Sequence, residues 1–239
     1  MILITMAGLS SRFSKAGYSV PKYALEYDGR SIFEWAVRSF EKYFQDEFFL
    51  FVLRPDEFAA TFVENSVKDL GIKKYRIIRL DRDTRGQAET AYLALKEFNE
   101  DFPVIIFNID TIRYGYIKPE FLSNCDGYLE VFRGEGSHWS FVEPGPDLTV
   151  TRTTEKERIS DLCSDGLYYF KSHIEFCRIF EDALNAGEET KGEFYIAPLY
   201  NKMIKAGAKI KYDVIEIDQI DFCGTPSEYE NLLEKRSAT

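Results

Sequence analysis

Residues 1–25 read MILITMAGLSSRFSKAGYSVPKYAL. Ile2, Leu3, Ile4 and Met6 make the short apolar run of a parallel strand buried on both faces, and Ala7-Gly8 stops it. The polar Ser10-Ser11-Arg12 follows, so the segment reads as strand and then tight loop. From Ala7 onward the loop has what a phosphate needs. Gly8 has no Cβ and lets backbone amides approach a ligand, while Ser10 and Ser11 offer hydroxyls. Arg12 presents a planar fork to two oxygens, and Lys22, after Pro21, a mobile point charge. At about 4 Å and an effective dielectric of about 20, one such ion pair attracts by about 4 kcal/mol before desolvation. No acid stands in this segment, in a chain whose formal net charge is -10. An anion is the natural ligand, although the loop alone fits a solvated basic surface as well. Neither G-x-x-x-x-G-K-[ST] nor G-x-G-x-x-G is present, which argues against a P-loop ATPase and a dinucleotide dehydrogenase.

Outward from this segment, strand-like and helix-like patterns alternate, as in βαβ units. A helix is predicted near Ser31–Tyr43, with Ser31 and Glu34 at capping-box spacing. Strands are predicted over 48–53, 74–80 and 103–109, with helices from Pro55-Asp56 to Gly71 and from Gly86-Gln87 to Phe98. From about residue 127 the pattern changes to strands with short turns, over 128–132, 139–142, 148–153 and 167–170, so an antiparallel or mixed section joins the sheet. Helices return over 173–186, 195–206 and 227–235, with a strand over 209–217. The reading is α/β: a Rossmann-like mixed, mainly parallel sheet flanked by helices. It forms one domain over 1–235, with a nucleotide-binding half (1–112), an acceptor-binding half (113–235) and a tail at 236–239.

The 239 residues suffice for a sizeable core, which must absorb 20 Phe and 15 Tyr. The acidic balance argues against nucleic acid or an anionic membrane as partner, both of which are held by clustered cations. No apolar run reaches the length of a membrane span, and a cytoplasmic protein is expected. Cys125, Cys163, Cys177 and Cys223 lack metal spacing and read as reduced structural thiols. The oligomeric state is left open.

Asp110 follows the apolar strand 104–109. In an open parallel sheet it shares the carboxyl-end crevice with the first loop, where Mg²⁺ would bridge one or two acids and phosphate oxygens. A solvated strand-end Asp is the plain alternative. Asp221, ahead of Gly224-Thr225-Pro226, is the distant acid that helix capping does not explain, whereas Thr225 and Glu228 match a capping box. Gln87 opens a helix and its amide suits a base edge. Lys156 suits an acceptor phosphate; Glu193 suits acceptor hydroxyls or an amine, and Glu155 precedes Lys156. Charged turns account for each of these singly.

Taken in order, the segments resemble the nucleotidyltransferases that activate sugar phosphates and related phosphorylated small molecules. The resemblance rests on Gly8-Leu9-Ser10-Ser11-Arg12, Pro21-Lys22, the Gly86-Gln87 helix start, Asp110, Glu155-Lys156, Gly166-Leu167-Tyr168-Tyr169-Phe170, Glu193-Phe194-Tyr195 and Gly224-Thr225-Pro226, spanning residues 1 to about 230. It implies a GT-A-like nucleotidyltransferase fold and a Mg²⁺-dependent reaction of an NTP with a phosphorylated acceptor. Arg12 and Lys22 would act on the phosphates, with Ala7, Gly8, Ser10 and Ser11 around them and Gln87 on the base. Glu155, Lys156 and Glu193 would face the acceptor, and Asp110 with Asp221 would hold the metal. Ala16-Gly17-Tyr18-Ser19-Val20-Pro21-Lys22 looks like a capsule-cluster subgroup that suggests CTP and phosphoglutamine. Two departures stand out: Ser10 replaces the commoner Gly, and Phe222 stands where members often place the second metal acid, so Asp221 serves only if the turn is shifted by one. A GT-A-type glycosyltransferase and a non-catalytic nucleotide sensor are the competing readings.

Overall fold

The structure, a computed structural model, describes residues 1–237. In chain order the first half contains β1 (Ile2–Met6), α1 (Ser11–Lys15), β2 (Glu26–Tyr27), β3 (Arg30–Ser31), α2 (Ile32–Arg38), β4 (Phe48–Leu53), α3 (Glu57–Asp69), β5 (Lys74–Arg79), α4 (Gln87–Leu95) and β6 (Val104–Asn108). The second half contains β7 (Thr111–Arg113), β8 (Gly127–Arg133), β9 (Ser140–Pro144), β10 (Val150–Glu155), β11 (Leu162–Phe170), α5 (His173–Ala186), α6 (Tyr200–Lys205), β12 (Ile210–Ile215), β13 (Ile220–Phe222) and α7 (Pro226–Ser237).

The central sheet is mixed and flanked by helices, as the alternating pattern predicts, but it is not mainly parallel: among the described residues four of its strand pairs are parallel and four antiparallel, because the second half adds antiparallel strands to a parallel centre. β1 lies between β4 and β6 and pairs parallel with both, with Ile4 opposite Phe51 and Phe107. Successive strand residues face opposite ways, so β1 needs two cores. Leu3, Leu50, Val52, Val104 and Ile106 pack on one side with Ala88, Ala91, Phe176 and Phe180 of α4 and α5. Ile2, Ile4, Phe49, Phe51, Ile105 and Phe107 pack on the other with Phe33, Val37, Val63 and Val67 of α2 and α3. The sheet runs β10-β9-β11-β6-β1-β4-β5, with β8 on β11 and β12 on β8. β11 is antiparallel to β6, so the predicted mixed section begins there. A parallel centre with its carboxyl ends on one side opens a crevice above β1 and β6.

Several boundaries differ from the sequence reading, each for a local reason. α2 ends at Arg38 although its apolar stripe continues to Phe40 and Phe44; Ser39 caps it, its hydroxyl accepting from the Arg113 amide, and the backbone departs from helical dihedrals at Phe40. The helix predicted over 195–206 is a 3-10 turn at Ala197–Leu199 before α6, since Pro198 lacks an N–H. β11 is longer than predicted because a bulge between Ser164 and Tyr168 carries it through Gly166. The β2–β3 hairpin turns on Asp28-Gly29, both at positive φ, a hairpin signal that the sequence reading passed over. α7 takes in residues 236 and 237 of the expected tail, and residues 238–239 lie outside the described residues. Among the described residues no helix is long and apolar enough to cross a membrane.

Candidate active site

A cleft of about 620 Å³ opens at the carboxyl ends of β1 and β6. It brings Ala7, Gly8, Ser11, Arg12, Lys22, Gln87, Asp110, Glu155, Lys156 and Glu193 onto one surface. Ser10 lines a smaller cavity of about 190 Å³ on the other side of the loop. There it caps α1 in the left-handed conformation at φ 51°, with its buried hydroxyl unpartnered. Phe13 anchors α1 by packing edge-on to Tyr18 and Tyr229, with ring centroids 5.3 and 6.3 Å away. Its burial leaves neighbouring Arg12 on the cleft wall.

Lys22 starts a short 3-10 turn after Pro21, and buried Tyr23 holds that turn in place. Lys22 Nζ stands 2.5 Å from Asp110 Oδ2. Asp110 sits between β6 and β7, where its carbonyl accepts from the Cys223 amide at 2.8 Å and so fixes the late turn against the strand end. Across from it is Glu228, in the first turn of α7. A Cβ built on Gly224 would lie 3.3 Å from Asp110 Oδ2 and 3.5 Å from Glu228 Oε2, so the missing side chain makes a cradle between two carboxylates. Glu228 also closes the expected capping box, accepting from the Thr225 amide at 2.9 Å. Capping explains it so completely in sequence that no signal marks it as a cleft acid.

Asp221 is not in the cleft, and here the structure corrects the sequence reading. Its carboxylate accepts from Tyr114 Oη at 2.9 Å and from Lys235 Nζ. β13 pairs with β7, Asp221 opposite Ile112 and Phe222 opposite Thr111, and adjacent strand residues face opposite ways. Phe222 therefore takes the cleft side, its ring 4.7 Å from Trp139 and 5.3 Å from Phe132. In this register Asp221 faces away from the cleft, onto Tyr114 and Lys235.

Gly86 has φ 108°, and a Cβ there would lie 2.5 Å from the Phe194 carbonyl oxygen. The close approach that this glycine permits is to the 193–195 stretch: Phe194 N–H donates to Arg85 O at 2.6 Å and Ala88 N–H to Phe194 O at 3.2 Å. That contact ties the start of α4 to the far wall. Gln87 Nε2 next to it is buried without a partner, a donor left for a ligand.

On the far wall, Lys156 adopts a left-handed backbone at φ 57°. Its Nζ donates to Tyr195 Oη, lies over that ring at 4.4 Å, and is 3.9 Å from Glu155. Glu155 accepts from Ser140. Burial pushes its carboxyl above the usual range, against the pull of Ser140 and Lys156, and the Glu193 charge adds to the rise. Tyr195 is raised by burial and by its bond to Glu193, while the Arg12 charge opposes the rise. Asp165, deep in the cleft and not singled out by spacing, is held far above its ordinary value by burial and by Glu130. Its Oδ2 has no partner. Trp139, Asp165 and Glu228 are among the cleft residues that sequence reasoning missed.

Among the described residues no group of three or more His, Cys, Asp or Glu could hold a metal. The Asp110–Glu228 cradle nonetheless fits a hard dication that takes its remaining ligands from phosphate and water, as Mg²⁺ does.

The chain is similar to the nucleoside-diphosphate-sugar pyrophosphorylase from Vibrio cholerae RC9, at 44% identity and a TM-score of 0.94, covering 98% of this chain and 100% of that one. It is similar in fold to the inositol-1-phosphate CTP transferase from T. maritima (14% identity, 98% and 94% covered, TM-score 0.74). The CTP:phosphocholine cytidylyltransferase from Streptococcus pneumoniae shares the fold as well (15% identity, 98% and 98% covered, TM-score 0.72). No family model and no curated protein matches the chain. With 44% identity along its whole length, the chain belongs to the nucleotidyltransferase family, that of the NTP–sugar transferases.

Proposed function

We propose that this protein transfers a nucleotidyl group, CMP from CTP, to the phosphate of a small acceptor, phosphoglutamine or a sugar phosphate, and releases pyrophosphate. The product would serve capsule or surface polysaccharide synthesis in the cytoplasm. The observation that carries the reading is the gathering of three cations, Arg12, Lys22 and Lys156, in one cleft. Lys22 stands by Asp110 at the carboxyl end of the sheet, Lys156 stands by Glu155 and Tyr195 on the far wall, and Arg12 lines the same cleft. Two phosphorylated substrates could meet between them.

An acceptor phosphate oxygen, already anionic, would attack the α-phosphorus in line. The new O–P bond forms as the bond to the β-phosphate oxygen breaks, and pyrophosphate leaves with the electron pair. Arg12 would hold two phosphate oxygens, and Lys22 would neutralise charge as it builds on the leaving group. Gln87 Nε2 would donate to the base, and Lys156 would orient the acceptor. Bound Mg²⁺ would act as a Lewis acid on the phosphate oxygens, held by Asp110 with Glu228 as the second acid. A pyrophosphate-release screen of four NTPs against phosphoglutamine, choline phosphate and a panel of sugar phosphates tests the reading. One strong pair supports it. Consumption of a nucleotide sugar with no pyrophosphate from any NTP would instead indicate a glycosyltransferase.

A further inference from the structure

Five buried side-chain nitrogen or oxygen atoms among the described residues have no hydrogen-bond partner. Gln87 and Asp165, which carry two of them, line the large cleft. The other three, Ser10 Oγ, Tyr23 Oη and Arg54 Nε, belong to residues lining the small cavity of about 190 Å³ behind the first loop. Buried polar groups are almost always paired, because an orphan keeps the full desolvation cost, so three around one cavity call for a common partner. Tyr23 is only 2% exposed. Burial and Asp56 push its hydroxyl up to about 12, against the pull of Arg54, so it keeps its proton. Arg54 Nε can only donate, and both hydroxyls are able to donate. An oxygen acceptor satisfies all three at once.

The charges around the cavity select the kind of acceptor. Among the described lining residues Arg54 is the one cation and Asp56 the one acid, while Arg12 and Lys22 line the cleft instead. Arg54 Nη2 lies 3.6 Å from Asp83 on the cleft wall, and Glu57, beside Asp56, is paired with Arg79. Asp56 caps α3: among the described residues both its hydrogen bonds fall on Oδ1, from the Phe58 and Ala59 amides at 2.9 and 3.4 Å, so Oδ2 can take another donor. A bare anion on Arg54 would face the Asp56 charge, whereas a carboxylate that carries its own ammonium meets both. The volume lies below the about 300–1,000 Å³ of drug-sized sites. Leu9 and Val20, 54% and 39% exposed, make part of its lining apolar. We propose that this cavity binds a small α-amino acid. Its carboxylate accepts from Arg54 Nε and from the Tyr23 and Ser10 hydroxyls, its ammonium donates to Asp56, and a short apolar side chain lies on Leu9 and Val20. Gly8 and Leu9 line the cavity and the cleft alike, and Ser10, left-handed at φ 51°, stands two residues before Arg12. An occupant therefore steadies the phosphate loop and tightens NTP binding.

The test is calorimetric titration of the full chain with glycine, L-alanine, L-valine and L-leucine, with the amide and the deaminated acid of each (L-valinamide and 3-methylbutanoate for L-valine), and with inorganic phosphate. At least one amino acid is expected to bind saturably, and its two analogues, each lacking one charge, about tenfold or more weakly. Tyr23→Phe and Asp56→Asn should each weaken that binding about tenfold; asparagine keeps the helix cap, and thermal unfolding checks that both variants fold. The four NTPs with Mg²⁺ are then titrated with and without the amino acid, and a lower Kd for an NTP is expected in its presence. No binding by any of the four amino acids overturns the proposal, as does equal binding of the deaminated acid or of phosphate, full affinity in both variants, or competition with an NTP. An unchanged NTP affinity overturns the coupling to the loop. Failure of every NTP to bind refutes the transferase reading and leaves the amino-acid site standing on its own titration.

Discussion

Gly86→Ala should uncouple the two walls of the cleft. Gly86 has φ 108° and ψ 175°, a region essentially closed to residues with a Cβ. Holding alanine there costs about 1–3 kcal/mol. The added carbon would also lie 2.5 Å from Phe194 O and 3.0 Å from Phe194 N, and both are backbone atoms that cannot swing aside. Relief requires moving the 193–195 stretch away, which sacrifices the Phe194–Arg85 and Ala88–Phe194 hydrogen bonds at about 1 kcal/mol each. The expected destabilisation is therefore about 3–5 kcal/mol. With an m-value of about 3 kcal/mol/M it appears as a urea midpoint lower by more than about 1 M. Gly187→Ala is the control. Gly187 caps α5 at φ 65° and ψ 34° with nothing within 4 Å of a built Cβ, so only the left-handed penalty of about 1–2 kcal/mol applies. Equal midpoints for the two variants would refute the argument that Gly86 is required by close backbone approach.

Arg12→Ala and Lys22→Ala should each lower pyrophosphate release by about a hundredfold or more without changing the melting temperature by more than a few degrees, read by enzyme assay and thermal unfolding. Normal turnover in both sinks the proposed roles. Glu228→Gln should raise the Mg²⁺ concentration needed for half-maximal rate by about tenfold, while Asp221→Asn leaves it unchanged, because only Glu228 shares the Gly224 cradle with Asp110; the reverse order would restore Asp221 as the ligand. Asp165 gives a pH signature. Its folded pKa lies well above the unfolded value of 3.8 through burial and Glu130, so the folded state binds the extra proton. Its contribution to stability is complete below about pH 4 and is lost as pH rises through the folded pKa. Urea midpoints from pH 4 upward should decline less in Asp165→Asn than in the wild type, and parallel profiles would contradict the assignment.

Much of the site is legible locally. Arg12, Lys22 and Asp110 can be found because each follows a run whose apolar pattern places it at a strand end or in the adjoining loop. The crevice side then follows from the parallel topology. Gln87 and Lys156 are recognisable as polar groups at a helix start and in a turn, but their roles depend on which wall they face. Glu228 is hidden by its capping box, a sufficient local explanation that conceals a second use. Trp139 and Asp165 carry no spacing signal, since an aromatic or an acid in a β segment is ordinary until the strands are paired.

The sequence by itself determines the parallel centre of the sheet, because burial on both faces requires the continuous apolar runs of β1, β4 and β6, and a run of that kind is a local property. It also determines the acid-free first loop and the positions of its cations. Tertiary structure alone decides which acid meets Asp110. That choice depends on the register of β13 against β7, which turns Phe222 inward and Asp221 outward, and on the absence of a side chain at Gly224. The pairing of β13 with β7 and the approach of Gly224 to Asp110 both reach across more than a hundred residues, and no local pattern encodes which face of a three-residue strand looks into the cleft.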